Sequence, residues 1–331
     1  MLTDADLDPS PLTGKIVAIV GFGNQGRAQA LNLRDSGVEV RIGLRPGSAR
    51  AEAAEAERLT VLPPAEAVDG ADLIALLAPD EHLPAIYRVV ESALGKGAAL
   101  VFAHGLVVHY GLLAPRADLD ILLVAPKGPG AALRTLYVAG QGMVTLAAVA
   151  QDSSGSAWPL ALAYARALGS GREGAGVLRS TFEAETVSDL FNEAAVVWGA
   201  VPAILETGFE TLVEAGIDPK LAYLECVSEL KLLADLVERR GIAGMREAIS
   251  NTAELGALIG GRRLVDERVR MRMRELLVEL KGDGFARTLE AEAAAGYPLL
   301  QEERRLARAS PLEKARRSLL ALRGEGRAPL A

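Results

Sequence analysis

Lys15-Ile16-Val17-Ala18-Ile19-Val20-Gly21-Phe22-Gly23-Asn24-Gln25-Gly26-Arg27-Ala28-Gln29-Ala30-Leu31-Asn32-Leu33 is the stretch that decides the fold. A short apolar, β-branched run stops at glycines spaced Gly-x-Gly-x-x-Gly, and a segment of helical character follows. Glycines at those positions allow a tight turn and let backbone N–H groups approach a pyrophosphate, which then sits at the positive end of the helix. Taken alone, the motif would suit a merely structural glycine turn. With a strand before it, a helix after it and a second strand at Val38–Leu44, it reads as the opening of a dinucleotide-binding fold.

The end of that second strand selects the cofactor. An NAD site places a carboxylate there for the ribose hydroxyls, whereas this chain has Arg45-Pro46-Gly47-Ser48-Ala49-Arg50, two guanidiniums and a hydroxyl suited to a 2′-phosphate. The expected cofactor is NADP(H); NAD(H) is the alternative if the arginines are only solvated loop residues. Further strands are expected at Asp72–Leu77, ending at Pro79-Asp80-Glu81, at Ala99–Ala103, ending at His104-Gly105, and at Ile121–Ala125, ending at Pro126-Lys127-Gly128-Pro129-Gly130. In a doubly wound sheet such carboxyl ends converge on one crevice, so His104 and Lys127 fall where substrate and nicotinamide would meet, while His82 and His109 read as structural. The expected cofactor-binding set is Gly21, Gly23, Gln25, Gly26, Arg45, Ser48, Arg50, Asp80 and Gly130.

From Trp158 onward strand signals fade and helical periodicity takes over, at Leu160–Leu168, Asp189–Trp198, Ala203–Glu214, Leu221–Arg239, Val265–Leu280 and Leu312–Leu322. The expected class is therefore α/β, with a Rossmann-like dinucleotide-binding domain over residues 1–180 and an all-helical domain over 181–331. Two acidic pairs stand out in the helical part, Asp189 with Glu193 and Glu225 with Glu229. On a helix each pair shares one face, and the positions three and four residues away supply Glu185, Leu190, Val196 and Val197 in one case and Leu221, Ala222, Cys226, Leu232 and Leu233 in the other. No Lys or Arg is in helical reach. Ordinary solvated faces would need no partner; carboxylates buried in such stripes would either take up protons or hold hard divalent ions. The recurrence of the pattern favours a two-metal site built from facing helices.

Composition bounds the remaining classes. A chain of 331 residues, 50% hydrophobic and 24% charged, has room for two domains and a sizeable core. A net charge of −7 without a basic-aromatic run argues against nucleic acid as a partner. The single cysteine, Cys226, excludes an intramolecular disulfide framework, and Met1–Asp6 lacks a signal-peptide pattern, so the cytoplasm is the expected compartment. No apolar run reads as long enough to span a membrane; Ala194–Leu205, interrupted by Gly199 and Pro202, is the nearest approach.

These residues resemble the ketol-acid reductoisomerases of branched-chain amino acid biosynthesis, in their short bacterial form. The likeness runs through Gly21–Gly37, Leu44–Ser48, Pro79–Glu81, Phe102–Gly105, Val124–Gly130, Gln151–Gly155, Asp189–Phe191, Gly208–Gly216, Glu225–Leu236 and Ile249–Glu254. It implies a homodimer, or a higher oligomer, with shared active sites, in which Asp189 and Glu193 bind two magnesium ions with the partner's Glu225 and the partner's Glu229. It further implies that Ser250 holds the carboxylate of a small hydroxy/keto substrate and that His104 and Lys127 line the crevice on the cofactor side. The family's reaction moves an alkyl group between adjacent carbons of a 2-hydroxy-3-keto acid and then reduces the ketone, and Glu229 is the candidate acid/base for the hydroxyl proton.

Arg27, Gln29, Ala131, Asn192, Ala194, Trp198, Ser228 and Leu255 depart from the family's usual residues, and several flank retained functional groups. The cluster predicts a reshaped pocket, with the Trp198 indole occupying part of the usual substrate volume. An alternative reading follows, in which the same metals and nicotinamide act on another hydroxy or keto compound, for instance in skeletal rearrangement or cyclopropanol formation. A non-catalytic binding protein on the same fold is the third reading; the intact carboxylates and Lys127 argue against it.

Overall fold

The structure is a computed structural model in which residues 1–322 are described. The chain forms two compact units, Met1–Ser188 and a second that begins at Asp189. An eight-stranded sheet organises the first: β1 (Ile16–Val20), β2 (Glu39–Gly43), β3 (Thr60–Leu62), β4 (Leu73–Leu76), β5 (Ala99–Phe102), β6 (Asp120–Pro126), β7 (Thr145–Gln151) and β8 (Val177–Arg179). Their order is β3-β2-β1-β4-β5-β6-β7-β8, with every neighbouring pair parallel except β6 and β7. The class is that expected, an α/β N-terminal part with a Rossmann-like sheet and a helical C-terminal part.

The five strands expected from the sequence form, four of them shortened by one residue at one or both ends and β6 lengthened by one at each end. Three others were not anticipated. The strands β3 and β8 have only three residues each and exist by pairing with β2 and β7, and β7 (Thr-Leu-Ala-Ala-Val-Ala-Gln) is too alanine-rich to show alternation. Because β8 lies beyond Trp158, strand structure reaches further along the chain than the change of periodicity implied.

Parallel strands buried on both faces need continuous apolar runs, which β4, β5 and β6 supply with residues that are all buried. Val17, Ile19, Leu73, Ala75, Val101, Leu122, Val124 and Ala147 belong to one core cluster that also holds Tyr164 from the helix Ala157–Ala167. The order in which strands are added reverses between β1 and β4: β2 and β3 extend the sheet on one side of β1, and β4, parallel to β1, begins the other. A crevice therefore opens outside the carboxyl ends of these two strands, the place where such sheets bind ligands.

In the second unit a small buried cluster of Phe209, Ala222 and Ala315 packs with Leu212, Val213, Tyr223, Cys226 and Leu312. Many large apolar side chains elsewhere in it are exposed, among them Trp198, Ile204, Leu232, Ile259, Leu264 and Val278. The helical run Phe182–Glu214 extends for 33 residues and is, by length and composition, apolar enough to cross a bilayer, with 6% of its apolar window buried. This corrects the expectation that no run reaches that length. The run passes through a turn at residues 197–199, and Pro202 falls in the first turn of Ala200–Glu214, where its missing N–H is not needed.

Candidate active site

The glycine-rich loop closes directly behind β1. Gly21 adopts φ +109°, and a Cβ there would stand 2.6 Å from the Leu77 carbonyl oxygen, while one at Gly26 would stand 2.4 Å from that of Gly21. Only glycines permit this fit, which turns the chain sharply into the helix Asn24–Asp35 and leaves its first N–H groups facing the crevice. A cradle that a side chain would fill suits a pyrophosphate. Gln25 is tied down, its Nε2 donating to the Gly128 carbonyl at 2.9 Å.

Behind β2, Ser48 N–H donates to the Arg45 carbonyl across Pro46 and Gly47, and Gly47 has φ +75°. Proline followed by a positive-φ glycine is the signature of a type II turn. The Ser48 hydroxyl accepts from the Arg50 backbone N–H at 3.3 Å. Arg45 and Arg50 are exposed, and the Arg50 guanidinium hangs over the glycine-rich loop, with Nη1 2.9 Å from where a Gly23 Cβ would be. Asp80 begins a short 3-10 turn after β4 and is half-buried, and Gly130 is buried at the start of the helix Gly130–Val138.

His104 and Lys127, which follow β5 and β6, meet on a residue that the sequence reading did not assign. Glu185 is 1% exposed, and its carboxylate accepts from His104 Nδ1 at 3.0 Å and from the Gly105 N–H at 2.8 Å, with Lys127 Nζ at 3.8 Å. Facing an ionised carboxylate, which only accepts, His104 would present an N–H at Nδ1. A buried charge needs such partners, and the loss of one would strand it. No base lies in helical reach of the first acidic stripe, as expected, but bases reach Glu185 from elsewhere in the chain. The bases come from strand ends far along the chain rather than from the helix itself. Glu185 lies one turn before Asp189, so a third acid on that stripe was the available signal.

The acidic pairs sit on unusual backbone. Asn192–Val196, which contains Glu193, and Leu224–Ser228, which contains Glu225 and immediately precedes Glu229, are both π-helical. Such turns are rare inside helices and are frequent at functional sites. Asp189 is half-buried, whereas Glu193, Glu225 and Glu229 are exposed, so the expectation of four buried carboxylates does not hold within one chain. The apolar faces that carry them are themselves uncovered there. Neither Glu225 nor Glu229 pairs with a base among the described residues. Burial first, and the Glu225 charge second, push the Cys226 thiol above its ordinary value, so it stays protonated at neutral pH. Oxygen-only donors of this kind suit hard divalent cations.

Ser250 caps the helix Asn251–Leu264, its hydroxyl oxygen accepting from the Ala253 N–H at 3.2 Å. That use of a lone pair leaves the hydroxyl hydrogen available to an anion. Trp198 is 68% exposed, just beyond the first π-turn.

Two family models match the chain, the NADPH-binding domain of acetohydroxy acid isomeroreductase over residues 11–174 and the C-terminal domain of ketol-acid reductoisomerase over residues 182–325. The structure is similar to that of an NADH-preferring ketol-acid reductoisomerase from an uncultured archean, with 39% sequence identity, a TM-score of 0.92 and coverage of 97% of this chain and 98% of that one. The chain belongs to the ketol-acid reductoisomerase family. More distant proteins resemble the chain in fold alone. A putative oxidoreductase from Jannaschia sp. aligns at 17% identity and TM-score 0.60, over 81% of this chain and 96% of that one. An NAD-binding semialdehyde dehydrogenase protein from Cupriavidus necator aligns at 17% and 0.58, over 80% and 99%. As a ketol-acid reductoisomerase-type protein, the chain is an NAD(P)-dependent oxidoreductase and isomerase.

Proposed function

We propose that this member of the family is a magnesium-dependent, NADP(H)-linked enzyme that carries out alkyl migration and ketone reduction on a small hydroxy/keto acid. The observation that carries this reading is the placement of Glu193 and Glu225 within two π-helical turns, with Asp189 one turn before the first and Glu229 directly after the second, and with no base paired to Glu225 or Glu229 among the described residues. Four carboxylates balance two Mg²⁺, which when bound would polarise the carbonyl and stabilise the developing alkoxide. Ser250 would donate its hydroxyl hydrogen to the substrate carboxylate at the start of its helix. Glu229 would take the hydroxyl proton of the substrate and return it. His104 and Lys127, held by Glu185, would line the cofactor side with positive charge where the ketone oxygen gains negative charge.

For the nicotinamide, the similar archaeal enzyme prefers NADH, whereas the Arg45–Arg50 loop here supports NADP(H). Among the described residues neither arginine pairs with a carboxylate, so both charges remain for a phosphate.

A remodelled substrate is the second reading, and the position of Trp198 favours it. Its indole stands exposed two residues after the first π-turn, with Ser228 in the second. Changes around a metal site that leave its ligands intact typically cost about 10–100-fold in affinity or activity. With magnesium and NADPH, turnover of 2-acetolactate should accordingly be weak or absent, and Trp198→Cys combined with Ser228→His should raise it; excess EDTA should abolish whatever turnover there is. Robust acetolactate turnover by the unmodified protein would decide for the ordinary substrate, and turnover that survives EDTA would refute the metal reading.

The apolar faces of the helical part, including that of the run Phe182–Glu214, are read as subunit surface. One chain of this size rarely exposes so much contiguous apolar side chain unless a second covers it. Sedimentation at micromolar concentration should give a dimer or a larger species; an active monomer would refute this.

A further inference from the structure

A row of side chains, buried at its inner end, runs from the core to the loop that carries Lys127. The Tyr164 hydroxyl donates to Gln29 Oε1 at 2.9 Å, Gln29 Nε2 donates to Gln25 Oε1 at 3.2 Å, and Gln25 Nε2 donates to the Gly128 carbonyl at 2.9 Å. Tyr164 and Gln29 are fully buried. Burial drives the Tyr164 phenol far above its ordinary value, so the hydroxyl keeps its proton and donates it. A primary amide has its acceptor on one side and its donors on the other. Once Gln29 Oε1 accepts from the phenol, its Nε2 faces Gln25, and Gln25 in turn presents its own Nε2 to Gly128. The polarity of the whole row is therefore set at its buried end.

The same loop is clasped to the glycine-rich loop at a second point. The Ala131 N–H donates to Asn24 Oδ1 at 2.9 Å, and a Cβ at Gly130 would lie 2.1 Å from the Asn24 carbonyl oxygen, an approach that only glycine permits. Beyond the clasp, Lys127 reaches the buried Glu185 that holds His104.

We propose that Gln29, oriented by Tyr164, is a positioning residue that locks the Lys127 loop onto the glycine-rich loop, so that the nucleotide cradle and the Lys127–Glu185–His104 cluster hold one geometry. The proposal rests on the reading that the glycine-rich loop takes the nicotinamide cofactor. Gln29 touches neither cofactor nor substrate; it acts through Gln25. Histidine can accept at one ring nitrogen and donate at the other, so it can replace the amide in the row.

The test combines hydrogen exchange at the Ala131 amide in the cofactor-free protein with fluorescence titration of NADPH and NADH. Variants are Gln29→Met, Gln29→His, Tyr164→Phe, Gln25→Met and the Gln29→Met/Gln25→Met double. Gln29→Met should speed Ala131 exchange and weaken both cofactors by about tenfold, the size of one lost buried hydrogen bond, with exchange in the central strands unchanged. Tyr164→Phe, which keeps the core packing, should act in the same direction, and Gln29→His should restore much of the loss. The double variant should be no worse than Gln25→Met alone, because both lesions cut one row. Unchanged Ala131 exchange in both Gln29→Met and Tyr164→Phe would overturn the proposal, as would losses that multiply in the double variant. If the unmodified protein bound neither nucleotide, the cofactor reading would fail, and Ala131 exchange would still decide the role of Gln29.

Discussion

Glu229→Gln is expected to lower turnover by about 10²–10⁴-fold, the usual worth of a positioned acid/base, while the protein folds as before. The substitution keeps the shape of the side chain and removes both its charge and its capacity to hold a proton. Glu229 is exposed at the end of the second π-turn and pairs with no base among the described residues, so stability should change by no more than about 0.5 kcal/mol. Magnesium should also bind more weakly, since one of four balancing charges is gone. Steady-state kinetics across a magnesium titration, with thermal unfolding alongside, separates the two effects. If turnover recovered fully at saturating magnesium, Glu229 would be a ligand and not a proton acceptor; a wild-type rate without added metal would remove it from the site altogether.

What could be read from the sequence was whatever depends on near neighbours. The passage from β1 through Gly21, Gly23 and Gly26 into a helix is written in fewer than twenty residues, and its geometry follows from the glycines alone. The Pro46-Gly47 turn after β2 is equally local. By contrast, β7 carries no alternating pattern and is specified by the strands beside it. The Glu185 cluster was hidden for a related reason. Its members come from strand ends and a helix, with His104 and Glu185 81 positions apart, and no periodicity links them. Only the topology of the sheet brings them together.

The acidic pairs illustrate a different limit. A four-residue spacing stays on one face whether the backbone is α- or π-helical, so the pairing was legible while the π-turns were not. Burial does not follow from the pattern, because apolar neighbours do not by themselves imply cover. Leu221, Leu232 and Leu233 around the second pair are themselves exposed, and a sequence does not say whether such a face is covered by its own chain or by another.

Replacing Arg45 and Arg50 together with aspartate should weaken NADPH by about 10²–10⁴-fold, two charge-assisted contacts at roughly 1.5–3 kcal/mol each, while NADH changes only a few-fold. The argument rests on the loop, where the type II turn at Pro46-Gly47 presents Arg45 and Ser48 at the end of β2, and Ser48 is held by the Arg50 backbone. A 2′-phosphate placed there would meet two guanidiniums and a hydroxyl; two carboxylates would instead repel it. The single variants distinguish which phosphate each arginine serves. Arg50 reaches back over Gly23, so it could also touch the diphosphate that both cofactors share. Arg45→Asp should then discriminate between NADPH and NADH. If Arg50→Asp weakens both equally, Arg50 belongs to the diphosphate and Arg45 with Ser48 alone reads the 2′-position. Equal loss of both cofactors in the Arg45→Asp variant as well would end the case for NADP(H) selection by this loop.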